Sequence, residues 1–169
     1  LDLVLNHTSN QHEWFQQSRR DPTGPYGDYY IWRAPRGTDA QGNPLPPNNW
    51  ESIFGGPAWT YDEARGEFYL HVFAKEQPDL NYDNPAVRAE MARVMEFWTE
   101  RGADGFRFDA VNCISKPEGL PDDPDARAPI KGLGLYKDGP RMREYLLELR
   151  QALLAANPDA IVVGEAAEA

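Results

Sequence analysis

The sequence predicts an α/β fold with a parallel sheet and long loops at one edge of that sheet. Three short apolar runs, at residues 1–5, 103–109 and 161–165, have the length and composition of buried strands. Two longer segments between them, at residues 85–101 and 140–156, repeat apolar residues at helical spacing. Because a strand–helix–strand step makes a right-handed parallel crossover, we expect the three strands to share one sheet.

The segment at residues 26–80 is predicted to be an irregular insertion that forms a small subdomain. A short helix that runs to about Ser18 precedes it, and Asp21-Pro22 breaks that helix. The predicted elements of the insertion are a strand at 29–32, a loop at 34–49, and a hairpin of 58–61 and 67–73 around Gly66. Loops of this length between a strand and a helix commonly have a function.

Both predicted helices have defined ends and one apolar face. Asn84 caps the first helix with Pro85 at its first position, and Gly102 closes it. Its apolar stripe comprises Val87, Met91, Val94, Met95 and Trp98. The second helix runs from Pro140 to Asn157, and its apolar stripe comprises Met142, Tyr145, Leu146, Leu149 and Leu153. We expect both stripes to pack in the core.

Charged residues lie at the carboxyl ends of two predicted strands. In GFRFDAVN, at residues 105–112, strand alternation places Arg107 and Asp109 on one face, opposite two phenylalanines. The guanidinium favours an ionised Asp109, and the two residues alone are consistent with a buried structural ion pair. Glu165 ends the next strand. Two carboxylates at neighbouring strand ends are what glycoside cleavage requires, one as nucleophile or stabiliser and one as proton donor and acceptor.

Two layouts share this alternation of strands and helices. An open doubly wound sheet usually has shorter, glycine-rich ligand loops, and neither GxGxxG nor a phosphate loop occurs in this sequence. His7, Asp109 and Glu165 all follow strand ends, and the loops after the strands are long, which favours a (β/α)₈ barrel. Three strands cannot close a barrel of about 250 residues, so we expect part of one.

Composition excludes several classes of partner. A net charge of −10 and a pI near 4.7 disfavour nucleic acid, which requires basic patches. No apolar run reaches membrane-spanning length, and the single Cys113 can form neither an internal disulfide nor a metal cluster. The expected partner is a small molecule. The sequence starts within a strand and without Met, which predicts a fragment; cytoplasmic location is the working expectation.

Four motifs together resemble glycoside hydrolase family 13, the α-amylase superfamily, and within it the α-glucosidase and oligo-1,6-glucosidase group. They are DLVLNH at 2–7, QPDLN at 77–81, GFRFDAVN at 105–112 and VGEA at 163–166, in the family's order. The resemblance implies a partial (β/α)₈ TIM barrel, third to fifth strands, with a small subdomain inserted after the third strand. Its implied parts are strand 3 at 1–7, the inserted subdomain at 8–80, and helix 3, strand 4, helix 4 and strand 5 at 81–169.

The resemblance also implies a role for each matched residue. Asp109 is similar to the nucleophile that forms a covalent glycosyl-enzyme, and Glu165 to the general acid/base. Arg107 resembles the arginine that orients the nucleophile, and His7 the histidine that hydrogen-bonds the sugar. A retaining mechanism would place the two carboxyl groups roughly 5 Å apart. The implied activity is cleavage of terminal α-glucosidic bonds in short oligosaccharides.

The predictions of linkage preference and of the sugar pocket rest on fewer residues than the prediction of the two acids. In the family, alanine after the nucleophile is associated with α-1,4 bonds and valine with α-1,6 bonds, so Ala110 implies α-1,4 cleavage. Phe73 is expected to wall the sugar pocket, as are Trp50, Phe54 and Trp59, unless these rings form the subdomain core. A transferase or isomerase, trehalose synthase-like or sucrose-acting, would share the two acids. A non-catalytic relative that partners a transporter is a further alternative.

The resemblance implies no organic cofactor and leaves calcium open. Asn6 resembles a position that ligates calcium in some amylases, so calcium is possible in a full-length protein, whereas no metal ligands are assigned here. The acidic run at residues 122–125 lacks the spacing of an EF-hand. Gln77 and Asp79 are expected to hold the subdomain. The family's third carboxylate follows a histidine; no His-Asp pair occurs here, so these 169 residues are not expected to be a competent enzyme alone.

Overall fold

The computed structural model describes residues 1–166, so the last three residues of the predicted 81–169 segment lie outside the described residues. Its elements follow in the order β1 (Asp2–Val4), α1 (Glu13–Arg20), β2 (Trp32–Arg33), β3 (Gly37–Thr38), β4 (Pro44–Leu45), β5 (Trp59–Asp62), β6 (Glu67–Leu70), α2 (Pro85–Thr99), β7 (Gly105–Asp109), α3 (Leu133–Tyr136), α4 (Met142–Ala156) and β8 (Ile161–Gly164). A 3₁₀ turn at Val111–Cys113 follows β7. The predicted α/β class is confirmed.

A parallel sheet of order β1-β7-β8 organises the fold, with β7 in its centre. Leu3 pairs with Phe108, and Phe106 pairs with Val162. These side chains lie on the face that packs against α2 and α4, where the buried set includes Val87, Met91, Met95, Tyr145, Leu149 and Leu153. The predicted parallel sheet is therefore present, with its helices on one face.

The opposite face of this sheet is open. Val4, Ile161 and Val163 lie on it, and 43%, 70% and 58% of their surfaces are exposed. Apolar side chains on both faces are typical of parallel sheets that are covered on both sides. The open face is also the one that presents Arg107 and Asp109.

The helices begin and end close to their predicted positions. The Asn84 side chain accepts a hydrogen bond of 2.9 Å from the Ala86 N–H, and Gly102 has a φ of +91° just past α2. Trp98 was predicted in the buried stripe, but it is 43% exposed. It borders a cleft with Leu1 and Gly105 at the N-terminal edge of the sheet. None of the helices within residues 1–166 combines the length and apolar character needed to cross a membrane.

The insertion contains two small antiparallel sheets. The predicted hairpin is formed by β5 and β6, with Gly66 at a φ of +75°, and β6 also pairs with β2. The predicted loop at residues 34–49 contains a further hairpin, β3–β4. Its turn forms because the Asp39 carboxylate accepts N–H groups of Gln41 and Asn43 at 2.9 and 2.8 Å.

Both hydrophobic clusters join the insertion to the rest of the chain. The first combines Tyr30, Trp32 and Tyr69 with Leu5 and Phe108. The second combines aromatic and aliphatic residues of the insertion with the loop after β7, namely Trp50, Trp59 and Leu70 with Cys113, Leu120 and Tyr136. The insertion is therefore packed against the parallel sheet and against the long loop that follows β7.

Gly105 lies where β7 and β8 leave no room for a side chain. A Cβ placed there would be 2.2 Å from the carbonyl oxygen of Ile161. We expect Gly105→Ala to lower the free energy of unfolding by about 1–3 kcal/mol or more, because one strand must move. Urea denaturation measures this change. Gly134→Ala in α3 is the control, since no atom lies within 4 Å of its added Cβ. Equal stability of the two variants would contradict the β7–β8 register.

Candidate active site

The carboxyl ends of β7 and β8 bring the two predicted acids to one edge of the sheet. Asp109 is the last residue of β7, and Glu165 directly follows β8. The Glu165 N–H donates to the Phe108 carbonyl at 2.8 Å, and the Val111 N–H donates to the Glu165 carbonyl at 3.0 Å. These bonds continue the parallel pairing beyond β8 and place both acids beside Arg107.

Arg107 contacts both acids. Its Nη1 donates to Asp109 Oδ1 at 3.1 Å, and its Nη2 lies 2.6 Å from Glu165 Oε2. Nη1 also donates to Asp2 Oδ1 at 2.7 Å. The hydrogen bond to Asp2, helped by the charge of Glu165, raises the pKa of Arg107. One cation is thus shared among three carboxylates.

Taken alone, Arg107 and Asp109 are consistent with a buried structural ion pair, but in the structure this pair is not buried. The side chains of Arg107 and Asp109 are 43% and 31% exposed. The reason is that the face of the sheet on which they lie is open. An ion pair with this exposure contributes little to stability, so the geometry is better explained by what the two groups can bind.

His7 lies just after β1, close enough to Asp109 to sense its charge. The Gln77 amide nitrogen donates to His7 Nε2 at 2.9 Å, because the Gln77 oxygen already accepts the Ala74 N–H at 3.0 Å. Burial lowers the pKa of His7, and the charges of Asp79 and Asp109 offset part of that shift. His7 is therefore a neutral imidazole at neutral pH, held in place by Gln77.

A pair of phenylalanine rings, one half-buried and one exposed, extends from His7. The rings of Phe73 and His7 have centroids 5.2 Å apart, and those of Phe54 and Phe73 are 5.9 Å apart. Phe54 is 70% exposed, whereas Trp50 and Trp59 are only 1% and 4% exposed. Of the four aromatic candidates, Phe54 faces open space, Phe73 is half-buried against the second hydrophobic cluster, and the two tryptophans belong to the core.

Ala110 turns the chain directly after Asp109. It is buried and adopts a left-handed conformation, with φ of 47° and ψ of 35°. This turn begins the Val111–Cys113 segment and directs the Val111 N–H to the Glu165 carbonyl. The backbone of Ala110 therefore connects the ends of both acid-bearing strands.

Sequence reasoning missed Lys116, a buried cation behind these residues. Its Nζ lies 2.6 Å from Asp79 Oδ2 and donates to Asn6 Oδ1 at 3.0 Å and to the Cys113 carbonyl at 2.5 Å. The side chains of Lys116 and Asp79 are 4% and 0% exposed. The available signal was a lysine that ends the otherwise uncharged run VNCISK. Asn6, which resembles a calcium ligand, here binds an ammonium group.

Elsewhere, within residues 1–166, no group of three or more His, Cys, Asp and Glu residues is arranged to hold a metal ion. The carboxylates of the acidic run after Pro121 instead accept hydrogen bonds from backbone N–H groups. Asp123 accepts the N–H groups of Gly132 and Asp125, and these hydrogen bonds lower the pKa of Asp123. Asp122 accepts the Asn49 N–H at 2.8 Å. The Asp122 carboxylate therefore attaches the loop after β7 to the insertion, and the Asp123 carboxylate holds the loop itself together.

Comparison with known families gives a match over the entire chain. The family model described as alpha amylase, catalytic domain, matches residues 1–169. An oligo-1,6-glucosidase of Parageobacillus thermoglucosidasius is 48% identical over 167 residues, which cover 98% of this chain and 28% of that protein. An alpha-glucosidase of Pediococcus pentosaceus is 46% identical over 165 residues, with the same two shares.

Solved structures show the same relationship. The trehalose-6-phosphate hydrolase of Bacillus licheniformis superposes with a TM-score of 0.88 at 41% identity, over 99% of this chain and 28% of that one. The trehalulose synthase of Pseudomonas mesoacidophila MX-45 superposes with a TM-score of 0.82 at 41% identity, over 97% of this chain and 28% of that one. The chain thus spans little more than a quarter of the length of these relatives.

Proposed function

The chain belongs to the alpha-amylase catalytic-domain family, and from this premise we propose that it is part of a retaining glycoside hydrolase. The enzyme would cleave terminal α-glucosidic bonds of short oligosaccharides through a covalent glycosyl-enzyme. The observation that supports this function most directly is the contact of one guanidinium, that of Arg107, with both Asp109 and Glu165. Two carboxylates on adjacent parallel strands then face the same space.

In this proposal Asp109 is the nucleophile and Glu165 the general acid/base. Departure of the leaving group develops positive charge at the anomeric carbon, and the Asp109 carboxylate stabilises this charge before it bonds to the carbon. Glu165 gives its proton to the leaving oxygen and later takes one from the attacking water. The ion pair of Arg107 with Glu165 must open before the Glu165 carboxyl group can reach the leaving oxygen.

His7, Phe73 and Phe54 would provide the sugar contacts. Because His7 Nε2 accepts the Gln77 amide, the imidazole offers its Nδ1–H as a donor to a sugar hydroxyl. The two phenylalanine rings offer an apolar surface against which a pyranose ring can pack. The small-molecule substrate, an α-linked oligosaccharide, is the partner proposed for this site.

We further propose that β1, β7 and β8 are the third, fourth and fifth strands of a (β/α)₈ barrel. The insertion at residues 8–80 then follows the third strand, and α2 and α4 belong to the outer ring of helices. Two observations support this placement. The open sheet face presents Val4, Ile161 and Val163, which neighbouring barrel strands would cover. The candidate site lies at the carboxyl ends of the strands, where barrel enzymes have their active sites.

The proposal is tested by the products that the full-length protein forms from maltose, isomaltose and sucrose. With p-nitrophenyl α-glucoside, whose only sugar product is the transferred glucose, proton NMR should show α-glucose as the first product, because two displacements at the anomeric carbon retain its configuration. β-Glucose as the first product would refute the retaining mechanism. A rearranged disaccharide from sucrose would favour an isomerase or transferase, the second candidate, which the likeness to a trehalulose synthase keeps open. No turnover of any sugar would favour the non-catalytic alternative.

Ala110 leads us to propose α-1,4 bonds over α-1,6 bonds. We expect Ala110→Val to raise the isomaltose-to-maltose ratio of kcat/KM by roughly tenfold, the discrimination that an added methyl pair can give. Valine at a φ of 47° should also lower the free energy of unfolding by about 1–2 kcal/mol. The control is Ala110→Gly, which suits this backbone and should leave the ratio unchanged. An unchanged ratio in the valine variant would contradict a role for this position.

No cofactor is part of the proposed mechanism. Proton transfer and nucleophilic attack need only the two carboxylates. We also propose that no calcium binds at Asn6, because the Lys116 ammonium occupies the Asn6 oxygen. Cytoplasmic location stays a prediction.

A further inference from the structure

Two buried side chains hold the backbone carbonyl of Phe73. The Ser52 hydroxyl donates to this oxygen at 2.7 Å, and His71 Nδ1 lies 3.1 Å from it. Ser52 and His71 are only 2% and 4% exposed. A carbonyl oxygen has two lone pairs, so it can accept both hydrogen bonds at once. The backbone of Phe73 is therefore fixed from two sides by side chains.

Ser52 also binds the segment that contains the second phenylalanine of the proposed site. Its hydroxyl oxygen accepts the Phe54 N–H at 3.1 Å while its hydrogen is donated to the Phe73 carbonyl. The Ile53 N–H donates to the Val72 carbonyl at 2.9 Å and joins the same two segments. One hydroxyl group thus connects the backbones of two residues whose ring centroids are 5.9 Å apart.

Packing alone does not fix the two rings. Phe54 is 70% exposed, and Phe73 is half-buried. A groove of about 470 Å³ lies beside both of them and is also lined by Thr60, His71 and Lys75. A ring next to open space can shift without losing many contacts, so its position depends on how its backbone is held.

The second donor, His71, is itself oriented by a hydrogen bond. Burial lowers the pKa of His71, so its imidazole is neutral at neutral pH. A neutral imidazole has one N–H group, and because the Phe73 carbonyl can only accept, this group is at Nδ1. Nε2 then accepts the Thr60 hydroxyl at 2.9 Å. Thr60, in β5, therefore directs the His71 donor to the Phe73 carbonyl.

The segment that contains Phe73 is connected in turn to His7. The Ala74 N–H donates to Gln77 Oε1 at 3.0 Å, and the Gln77 amide nitrogen donates to His7 Nε2 at 2.9 Å. The imidazole and the two phenyl rings therefore belong to one hydrogen-bonded unit. Within this unit, Ser52 provides the link to the phenyl ring that is more exposed.

We propose that Ser52 is a positioning residue of the sugar site, whose hydroxyl sets the arrangement of the Phe54 and Phe73 rings and thereby the affinity for the terminal pyranose unit. The proposal rests on the proposed function, since it requires that these rings contact the sugar. Ser52 is buried and is assigned no direct contact with the sugar. Because the rings contact the sugar both before and during bond cleavage, a change in their arrangement should alter KM more than kcat.

The test is the steady-state kinetics of Ser52→Ala in the full-length protein with p-nitrophenyl α-glucoside. We expect KM to rise by roughly tenfold and kcat to change by less than about twofold. The variant removes the acceptor of the Phe54 N–H and one of the two donors to the Phe73 carbonyl. A KM equal to that of the wild type would overturn the proposal.

A double-mutant cycle with Phe54→Ala shows whether Ser52 acts through the ring. Phe54→Ala should itself raise KM. Adding Ser52→Ala should then raise KM by less than about threefold more, because only the effect through Phe73 remains. If Ser52→Ala raises KM by the same factor with and without the Phe54 ring, the two residues act independently, and the proposal is wrong.

Ser18→Ala is the matched control for a general loss of stability. Ser18 is fully buried, and its hydroxyl donates to the Gly27 carbonyl at 3.0 Å and accepts the Trp32 indole N–H at 2.9 Å. It makes the same kinds of hydrogen bond as Ser52, but with other partners. Both alanine variants should lower Tm, whereas only Ser52→Ala should raise KM. A matching rise of KM in Ser18→Ala would assign the effect to a loosened insertion and overturn the proposal.

If Ser52→Ala does not accumulate as folded protein, Ser52→Cys replaces it, because a thiol fills the space but is a weak donor and acceptor. A rise of KM that is lost in the Phe54→Ala background would support the proposal, and an unchanged KM would overturn it. The wild-type protein separates this proposal from the proposed function. Absence of turnover in the wild type would contradict both, whereas turnover with unchanged KM in the Ser52 variants would contradict only the role of Ser52.

Discussion

Asp109→Asn in the full-length protein is expected to lower kcat/KM on p-nitrophenyl α-glucoside by roughly 10⁴-fold or more. The amide has nearly the shape of the carboxylate, but it neither stabilises positive charge at the anomeric carbon nor bonds to that carbon. Its oxygen can still accept the hydrogen bond from Arg107. Because the Arg107–Asp109 pair is partly exposed, losing its charge should change stability little. Asp109→Asn should therefore lose activity while it keeps its folded structure and stability.

Asp104→Asn is the matched control for this prediction. Asp104 is exposed and precedes the first residue of β7, at the end of the strand opposite to Asp109. The same chemical change there should leave kcat/KM unaltered, and equal Tm values would show that both variants are folded. Turnover like that of the wild type in Asp109→Asn would refute the nucleophile assignment. Equal losses in both variants would instead assign the effect to disruption of the strand.

The faces of the central strand could be predicted from alternation because one of them is buried. Phe106 and Phe108 are each 3% exposed, and Arg107 lies on the opposite face with Asp109. A shift of one residue in register would bury the two charges and expose the two rings, so the local pattern strongly disfavours it. The position of Asp109 at the carboxyl end of its strand follows from the same pattern. Whether Asp109 and Glu165 share a contact with Arg107 depends on the order of the strands in the sheet. The alternation within one strand does not determine that order.

Burial by distant partners could not be predicted from local patterns. Lys116 lies in a proline-rich loop, where a lysine is ordinarily solvated, and its burial depends on Asn6 and Asp79. Trp98 fits the apolar stripe of α2 and is nevertheless exposed. In both cases the helical or loop pattern describes the residue's own segment, whereas exposure is decided by the segments that pack on it.

The aromatic residues of the insertion illustrate the same limit. Trp50, Phe54, Trp59 and Phe73 were equivalent candidates for the sugar pocket by composition. The two indole N–H groups find acceptors, the Pro121 carbonyl for Trp50 and the buried Asn48 Oδ1 for Trp59. Phenylalanine has no such group. Phe54 lies in a turn with two glycines of positive φ, which keeps its ring outside the core.

Glu165→Gln is expected to affect substrates according to their leaving groups. For maltose, whose leaving alcohol needs a proton, we expect kcat/KM to fall by roughly 10²–10⁴-fold, the range for loss of a general acid. A p-nitrophenolate leaving group departs without a proton, so kcat/KM for p-nitrophenyl α-glucoside should fall much less. The second step still needs a base to activate water, so kcat on this substrate should fall and a burst of nitrophenol should appear. Stopped-flow absorbance and steady-state kinetics measure both effects.

Azide distinguishes a missing general base from a damaged site. It is already an anionic nucleophile, so it should attack the glycosyl-enzyme of Glu165→Gln without proton removal, restore kcat and yield α-glucosyl azide. The β anomer, or no restoration with an unchanged burst, would contradict the assignment of Glu165 as acid/base. Glu100→Gln is the control, since its side chain is 68% exposed at the end of α2. It should behave like the wild type with every substrate, because Glu100 pairs with Arg101 at the end of α2, whereas Glu165 contacts Arg107 in the proposed site.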